Sequence, residues 1–339
     1  MKTLKNEITE EIYTFYSTFI VGFEAVVKKI FIETGYVGEI KQVLNGAIIT
    51  KAPNASCIPS GIINNHFRIF KYTKESSITN FIKGLSDVRI HRNCSKRSFR
   101  VIISDENNLV SIDNGVLSSL EKIIEKQTGH HVNRVKPDIE FWILKRSEGI
   151  ILFMERLYKH SSFDKTLNKG ELRSDLCYFL NYLSKPDKDD VLLDPFCGSG
   201  AILKNRLDNN LSFGKPNLVF GIDIEEHHIK DLRSYFKKKN NLIFKKTNFF
   251  DNKFEDNFID RIVSDPPWGI YEKLDNIERF YRNMITECYR ILKCNGILVV
   301  LTACKKEMDS INTNLSLLEK YDILVSGKKA GVYVYQKTY

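Results

Sequence analysis

From Glu171 onward short apolar runs alternate with stretches of helical period, and this rhythm most restricts what the chain can fold into. Helices are expected over residues 172–183, 201–207, 226–238 and 277–292. Strands are expected over 191–194, 218–223, 242–245, 259–264 and 296–303, with a closing pair at 321–325 and 331–336. Strands so short and so apolar have no polar face to leave in water, so both faces need helices, as in an α/β fold with a mostly parallel, doubly wound sheet. Right-handed crossovers then bring every loop that follows a strand to one edge, where a ligand can sit.

The residues before Glu171 read differently. Residues 13–20 are aromatic and β-branched like a strand, 23–34 have helical spacing ending at Gly35, and the alternation over 39–50 breaks at the hairpin dipeptide Asn45-Gly46. This β-α-β-β order suggests a small ferredoxin-like unit, continued by a strand at 66–72 and a helix at 77–85. Near Arg92 a second α+β unit begins, with strands at 99–103, 139–144 and 150–157 and an amphipathic helix at 114–126 closed by Gly129. Residues 158–170 are polar and aperiodic and read as a linker. The expected division is 1–90, 91–157, a linker at 158–170, and 171–339.

A chain of 339 residues with 42% hydrophobic side chains can fill more than one core. Its formal charge of +9 favours polyanionic partners, nucleic acid first. Seven cysteines are scattered without a CxxC pair, which fits a reducing cytosol. No apolar run of about 18 residues offers a membrane span, and the first residues lack the apolar core of a signal peptide, so a cytoplasmic location is expected. His130-His131 and His227-His228 lack ligand spacing, and no metal is expected.

Chemistry concentrates at three strand ends. Asp194-Pro-Phe-Cys-Gly-Ser-Gly200 joins the first strand of the expected sheet to a helix; Gly198 and Gly200 permit the turn and the close approach of a ligand to the backbone. The loop lacks the Lys-Ser/Thr of a phosphate cradle and the full GxGxxG of dinucleotide folds, leaving a ligand with a cation and an amino acid end. Asp223 ends the next strand, where a carboxylate can hold a ribose diol or cap the following helix. Ser264-Asp-Pro-Pro-Trp-Gly269 follows a third strand: two prolines stiffen the tip, Asp265 and the Pro266 carbonyl can accept both hydrogens of an amino group, and Trp268 offers a flat face to a base.

These two loops together resemble the THUMP-domain RNA guanine-N2 methyltransferases. Upstream, residues 132–142 resemble the THUMP signature, 15–24 resemble the opening of the ferredoxin-like domain, and 170–174 resemble the segment entering the catalytic domain. The resemblance implies a class I Rossmann-like methyltransferase domain preceded by an α+β ferredoxin-like and THUMP region that binds RNA. It implies S-adenosyl-L-methionine as cofactor, with Asp194, Phe196, Cys197, Gly198 and Gly200 around it, and Asp223 with Ile224 at the ribose. Leu172 and Arg173 would line the methionine end, and Asp265, Pro266, Pro267 and Trp268 would form the acceptor site. At the adenine the family has Asp where this chain has Asn248; its amide oxygen can accept from the adenine amino group beside Phe249, with Asp251 as the competing candidate.

Such a reaction needs placement more than side-chain chemistry, since the sulfonium methyl is already electrophilic. An ordinary carboxylate pKa makes Asp265 a weak base, which leaves solvent as the alternative acceptor of the proton. Basic residues upstream, namely Arg92, Lys96, Arg97, Arg100, Arg134, Lys136, Lys145 and Arg146, are candidates for phosphate contacts around a flipped base. The expected activity is tRNA guanine-N2 methylation; the alternatives are a 23S rRNA guanine-N2 methyltransferase, a DNA adenine-N6 methyltransferase, and an RNA-binding protein without catalysis.

Overall fold

The computed structural model describes residues 11–55, 58–90, 97–161, 167, 171–208, 214–237, 240–269, 276–325 and 327–338. Arg92, Lys96 and most of the expected linker lie outside them. The chain forms two compact units, one of residues 1–19 and 24–160, the other of 20–23 and 161–339.

The first unit runs β1 (Tyr13–Thr18), α1 (Glu24–Glu33), β2 (Glu39–Leu44), β3 (Ala47–Ala52), β4 (Asn65–Lys74), α2 (Ile78–Lys83), β5 (Ser98–Asp105), β6 (Asn108–Leu109), α3 (Asn114–Thr128), β7 (His131–Val132), β8 (Ile139–Lys145) and β9 (Ile150–Lys159). All its strands belong to one sheet in the order β2-β3-β1-β4-β9-β8-β5-β6, with β7 pairing β5. The hairpin at Asn45-Gly46 joins β2 to β3, and Gly46 takes the φ of +68° that such a turn requires. The regions expected as separate domains before and after residue 90 both contribute strands to this sheet, because β4 pairs with β9 over most of its length. On one face α2 and α3 bury Phe81, Ile82, Leu120 and Ile124 against Phe99, Phe141 and Phe153. The other face carries a separate cluster of Tyr16, Ile49, Phe67, Ile69, Leu152 and Met154.

The second unit runs α4 (Ser174–Leu183), β10 (Val191–Asp194), α5 (Ala201–Asp208), β11 (Leu218–Asp223), α6 (Glu226–Phe236), β12 (Leu242–Lys246), a 3-10 turn (Phe249–Asp251), β13 (Ile259–Ser264), α7 (Ile277–Ile291), β14 (Leu292–Thr302), α8 (Lys305–Ser310), β15 (Leu315–Val325) and β16 (Lys328–Lys337). Its sheet has the order β12-β11-β10-β13-β14-β16-β15. The first five strands are parallel, and β16 and β15 close the sheet as an antiparallel hairpin. This is the expected doubly wound α/β arrangement, with the strand order reversing at β10, between β11 and β13. Several details differ from the expectation: β15 begins at Leu315 rather than at 321, and β16 at Lys328 rather than at 331. Strand β14 starts at Leu292 rather than at 296, because Asn295 adopts a left-handed φ of +64° and lets the strand kink without ending. Helix α8, six residues long, has too few residues to show a period. Among the described residues no helix is long and apolar enough to cross a membrane.

Candidate active site

The carboxyl ends of β10, β11 and β13 carry Asp194, Asp223 and Ser264, and the loops that follow them form one polar edge. Asp194 is 1% exposed. Its Oδ1 accepts from the Ser264 hydroxyl at 2.7 Å and from the Phe196 amide at 3.2 Å. Burial pushes its carboxyl up to about 7, against those two donors and helped by the charge of Asp223. Asp194 therefore ties the end of β10 to the end of β13 rather than standing open to a ligand.

The loop after Asp194 separates its two glycines by role. Gly198 has φ +47°, and a Cβ built on it meets nothing within 4 Å. Gly200 has φ +75°, and its Cβ would stand 2.2 Å from Leu232 Cδ2 of α6. The first leaves backbone open to a ligand; the second brings loop and helix into contact. Buried Cys197 precedes both, its amide donating to the Ile222 carbonyl at 2.9 Å.

Of the two roles expected of Asp223 the structure shows the capping one, and it adds a second backbone contact. Its Oδ1 accepts from the Glu225 amide at 2.8 Å, capping the turn into α6, while Oδ2 accepts from the Gly198 amide at 2.8 Å and so pins the glycine loop. His228 Nδ1 stands 3.4 Å from Oδ1. Each carboxylate oxygen retains a lone pair for a hydroxyl. Beyond it Ile224 is 55% exposed, an apolar side chain that folding leaves in water. Asn248 caps the 3-10 turn, its Oδ1 accepting from the Phe250 amide at 3.0 Å. Phe249 is buried, packed edge-on against Phe196 with ring centroids 5.6 Å apart.

At the end of β13, Asp265 is half-buried, and its Oδ1 accepts from the Trp268 indole N–H at 2.8 Å. Burial pushes its carboxyl up to about 8; the Trp268 donor opposes the shift and the charge of Asp194 adds to it. This revises the ordinary pKa expected for Asp265: a carboxyl pushed up to about 8 is a stronger base than an ordinary carboxylate once it has ionised. Trp268 is a donor to Asp265 as well as an aromatic surface. Buried side chains hold the strip from behind: Tyr281 of α7 donates its hydroxyl to the Pro267 carbonyl at 3.0 Å, and the Cys304 thiol donates to the Trp268 carbonyl at 3.3 Å.

Arg173, expected at the methionine end, lies at the entry to α4 and is held by Asp175, a fully buried carboxylate that accepts from both Nε and Nη2. The turn is close to the acceptor strip, since the charges of Asp175, Asp265 and Asp194 all act on buried Cys177 one turn on. Leu172 is half-buried just before Arg173. Sequence reasoning missed Ser264 as the bridge between the two motifs, and also Tyr281 and Cys304. Ser264 had a visible signal, being a hydroxyl at a strand end beside Asp265; the other two are legible only once distant segments are folded together.

The basic residues of the first unit are mostly engaged. Arg100 and Arg156 both pair with Glu140, Arg134 forks onto Glu121, Lys145 pairs with Asp105 at 3.0 Å, and Arg146 pairs with Glu148 while contacting Tyr16 and the Asn45 carbonyl. Arg97 leads into β5, its amide donating to His130 Nδ1 at 3.3 Å. Lys136 is exposed beside Val135, 92% exposed, on a loop closed by the Asn133 side chain.

Comparison with known proteins agrees with this architecture. Residues 164–328 match the family model described as UPF0020, RMKL-like, methyltransferase domain. The chain is 33% identical over 168 residues, 46% of its own length and 94% of the relative's, to a Methanothermococcus thermolithotrophicus protein named "Probable tRNA (guanine(10)-N2)-dimethyltransferase". It is 26% identical to the Methanocaldococcus jannaschii tRNA (guanine(10)-N2)-dimethyltransferase over 63% of this chain and 62% of that one. Its fold is similar to that of TrmN from Thermus thermophilus, with a TM-score of 0.76 at 17% identity over 96% of this chain and 100% of that one. With Rossmann-like topology, an open glycine loop at the strand edge and this family match in one unit, the chain belongs to the RMKL-like methyltransferases and is an S-adenosylmethionine-dependent enzyme of the class I fold.

Proposed function

We propose that the chain methylates the exocyclic N2 of a guanine in tRNA, holding the target base flipped out of its stack. The observation that carries this reading is the Asp265-Pro-Pro-Trp268 strip placed beside Asp194 through the Ser264 hydroxyl, so that a donor loop and an acceptor loop share one polar edge. The names of the relatives, which act on guanine N2 of tRNA, support the choice of acceptor.

The residues present fit the cofactor. The open backbone at Gly198 admits it, Asp223 is placed to accept from the ribose hydroxyls, exposed Ile224 offers one face of an adenine slot, and Asn248 with Phe249 the rim. Bound there, the cofactor supplies an electrophilic methyl group. Asp265 and the Pro266 carbonyl accept the two hydrogens of the amino group, which turns its lone pair toward that methyl. With its carboxyl pushed up to about 8, Asp265 then takes the proton that the nitrogen must lose. Guanine N2 is a weak nucleophile, so orientation and charge stabilisation are where the protein contributes most.

In this reading residues 1–90 are a ferredoxin-like domain, 91–157 a THUMP domain, and 158–170 the linker to the catalytic domain at 171–339. The phosphate contacts come from Lys136, Arg97 and those arginines and lysines that exchange an internal carboxylate for a phosphate. A cytoplasmic location follows from a tRNA substrate, and the free thiols of Cys177, Cys197, Cys288 and Cys304 are consistent with it.

Transfer of labelled methyl groups to bulk tRNA, rRNA or DNA, followed by nuclease mapping of the product, tests the proposal; N2-methylguanosine in tRNA supports it, and label confined to rRNA or to DNA adenine overturns it. We expect Asp265→Ala to bind S-adenosylhomocysteine as the wild type does and to lose at least about 10²-fold in kcat. Unchanged turnover would remove Asp265 from the acceptor site.

A further inference from the structure

The acceptor strip is held from behind by a chain of buried hydroxyls. Tyr281 on α7 is fully buried, as is Thr302 at the end of β14, and Cys304 two residues on is 8% exposed. The Tyr281 hydroxyl lies 3.0 Å from the Pro267 carbonyl and 2.6 Å from Thr302 Oγ1, and Thr302 Oγ1 accepts from the Cys304 amide at 2.9 Å. A phenol has one hydrogen. Since a carbonyl can only accept, Tyr281 donates to Pro267, and Thr302 must then donate to Tyr281. The bonds thus run in one direction, Thr302 to Tyr281 to the Pro267 carbonyl, an order in which each bond polarises the next. The Cys304 thiol fixes the following carbonyl, that of Trp268.

We infer that Tyr281, set by Thr302, is a positioning residue for methyl transfer: it locks the Pro267 carbonyl and thereby the Pro266 carbonyl that receives the amino group. This rests on the acceptor assignment above. The geometry of the strip explains why one bond has such reach. The ring of Pro267 fixes its own φ and confines Pro266 to extended ψ, so the main freedom left in the tip is the rotation of the Pro267 carbonyl. That rotation is what Tyr281 removes. At the other end of the strip Asp265 is held by the Trp268 indole, whose carbonyl in turn is held by Cys304.

Tyr281→Phe keeps the ring and its packing and deletes only the donor, and Thr302→Val is its counterpart. Each is expected to lower kcat at least tenfold, with the S-adenosylhomocysteine Kd and the KM for RNA within twofold of wild type. The double variant is expected to lose no more than either single one, because the two hydroxyls act in series. Cys304→Ser, which keeps a donor, is expected to retain activity that Cys304→Ala loses. The chain has two tryptophans; in a Trp142→Phe background Trp268 is the sole emitter, and Tyr281→Phe is expected to shift its emission without any RNA present. A kcat within twofold of wild type, or a loss appearing in KM or Kd instead, overturns the inference. The two readings fail separately: if the wild type methylates no RNA, the acceptor assignment falls, while unshifted Trp268 emission shows that Tyr281 does not hold the strip.

Discussion

Asp265 changes character on folding, and the cause is local. In water its carboxyl is a poor base; placed at the end of β13 with Asp194 nearby, it is pushed up to about 8. Trp268 works against that shift by donating its indole N–H at 2.8 Å. We therefore expect kcat/KM for RNA to rise with pH through a midpoint near 8 and to level above it, as Asp265 ionises and becomes able to accept. Trp268→Phe removes the donor that favours the ionised form, so the midpoint should move to higher pH. A limb that moves to lower pH, or a profile flat between pH 6.5 and 9, would rule out Asp265 as the titrating group. Asp223 behaves differently although it is also a strand-end acid. Its two oxygens take backbone amides from Glu225 and Gly198, so its first contribution is to shape the loop, and any contact to a ribose is added to that.

At the scale of elements, the loop from β10 into α5 separates two demands that glycine meets in different ways. Gly198→Ala puts a methyl group into open space where a ligand would lie, and leaves the residue in a left-handed conformation that costs roughly 1 kcal/mol. Gly200→Ala drives a Cβ to 2.2 Å from Leu232 Cδ2, so that buried side chain must repack, and it does so at a residue held at a left-handed φ of +75°. Thermal melts with and without S-adenosylhomocysteine should find Gly198→Ala weak in binding with a small loss of Tm, and Gly200→Ala with the larger loss of Tm. The reverse order would mean that the two glycines have exchanged roles. Both were visible in the sequence as a loop, but not as distinct, because Leu232 lies 32 residues downstream. The same reason governs what else was legible. The second unit's strands could be read directly, since β10 and β11 are short, largely buried apolar runs, and β13 keeps one at Ile262-Val263 although Asp260 and Arg261 interrupt it. What escaped depends on pairing across long separations: β4 against β9, which merges the first half into one sheet, and the bonds linking Pro267, Tyr281, Thr302 and Cys304.

The molecule as a whole places opposite kinds of buried titratable group in its two units, and this gives them opposite responses to pH. In the first unit His66 is 1% exposed, its Nδ1 lies 2.8 Å from Ser17 Oγ, and burial with the nearby charge of Arg68 pushes its pKa down to about 4. Between that value and its ordinary 6.5 the unfolded chain binds a proton that the folded unit refuses, so stability falls as pH drops through this window, by roughly 3 kcal/mol. In the second unit Asp194 and Asp265 are pushed up to about 7 and about 8 from 3.8. There the folded state keeps protons that the unfolded state has released, so stability is greatest in acid and falls as pH rises toward 8, by several kcal/mol. Each unit has one tryptophan, Trp142 in the first and Trp268 in the second. Melting the single-tryptophan variants Trp268→Phe and Trp142→Phe from pH 4 to pH 9 should therefore show the Trp142 transition losing Tm toward acid and the Trp268 transition losing Tm toward alkali. S-adenosylhomocysteine at 100 times its Kd should raise only the second, by about 2.7 kcal/mol. Parallel movement of the two transitions with pH would show that these buried groups do not govern the stability of their units. If they do, the charge that destabilises the ligand-free catalytic unit is the same one that readies Asp265 to accept a proton, a trade of stability for activity within one side chain.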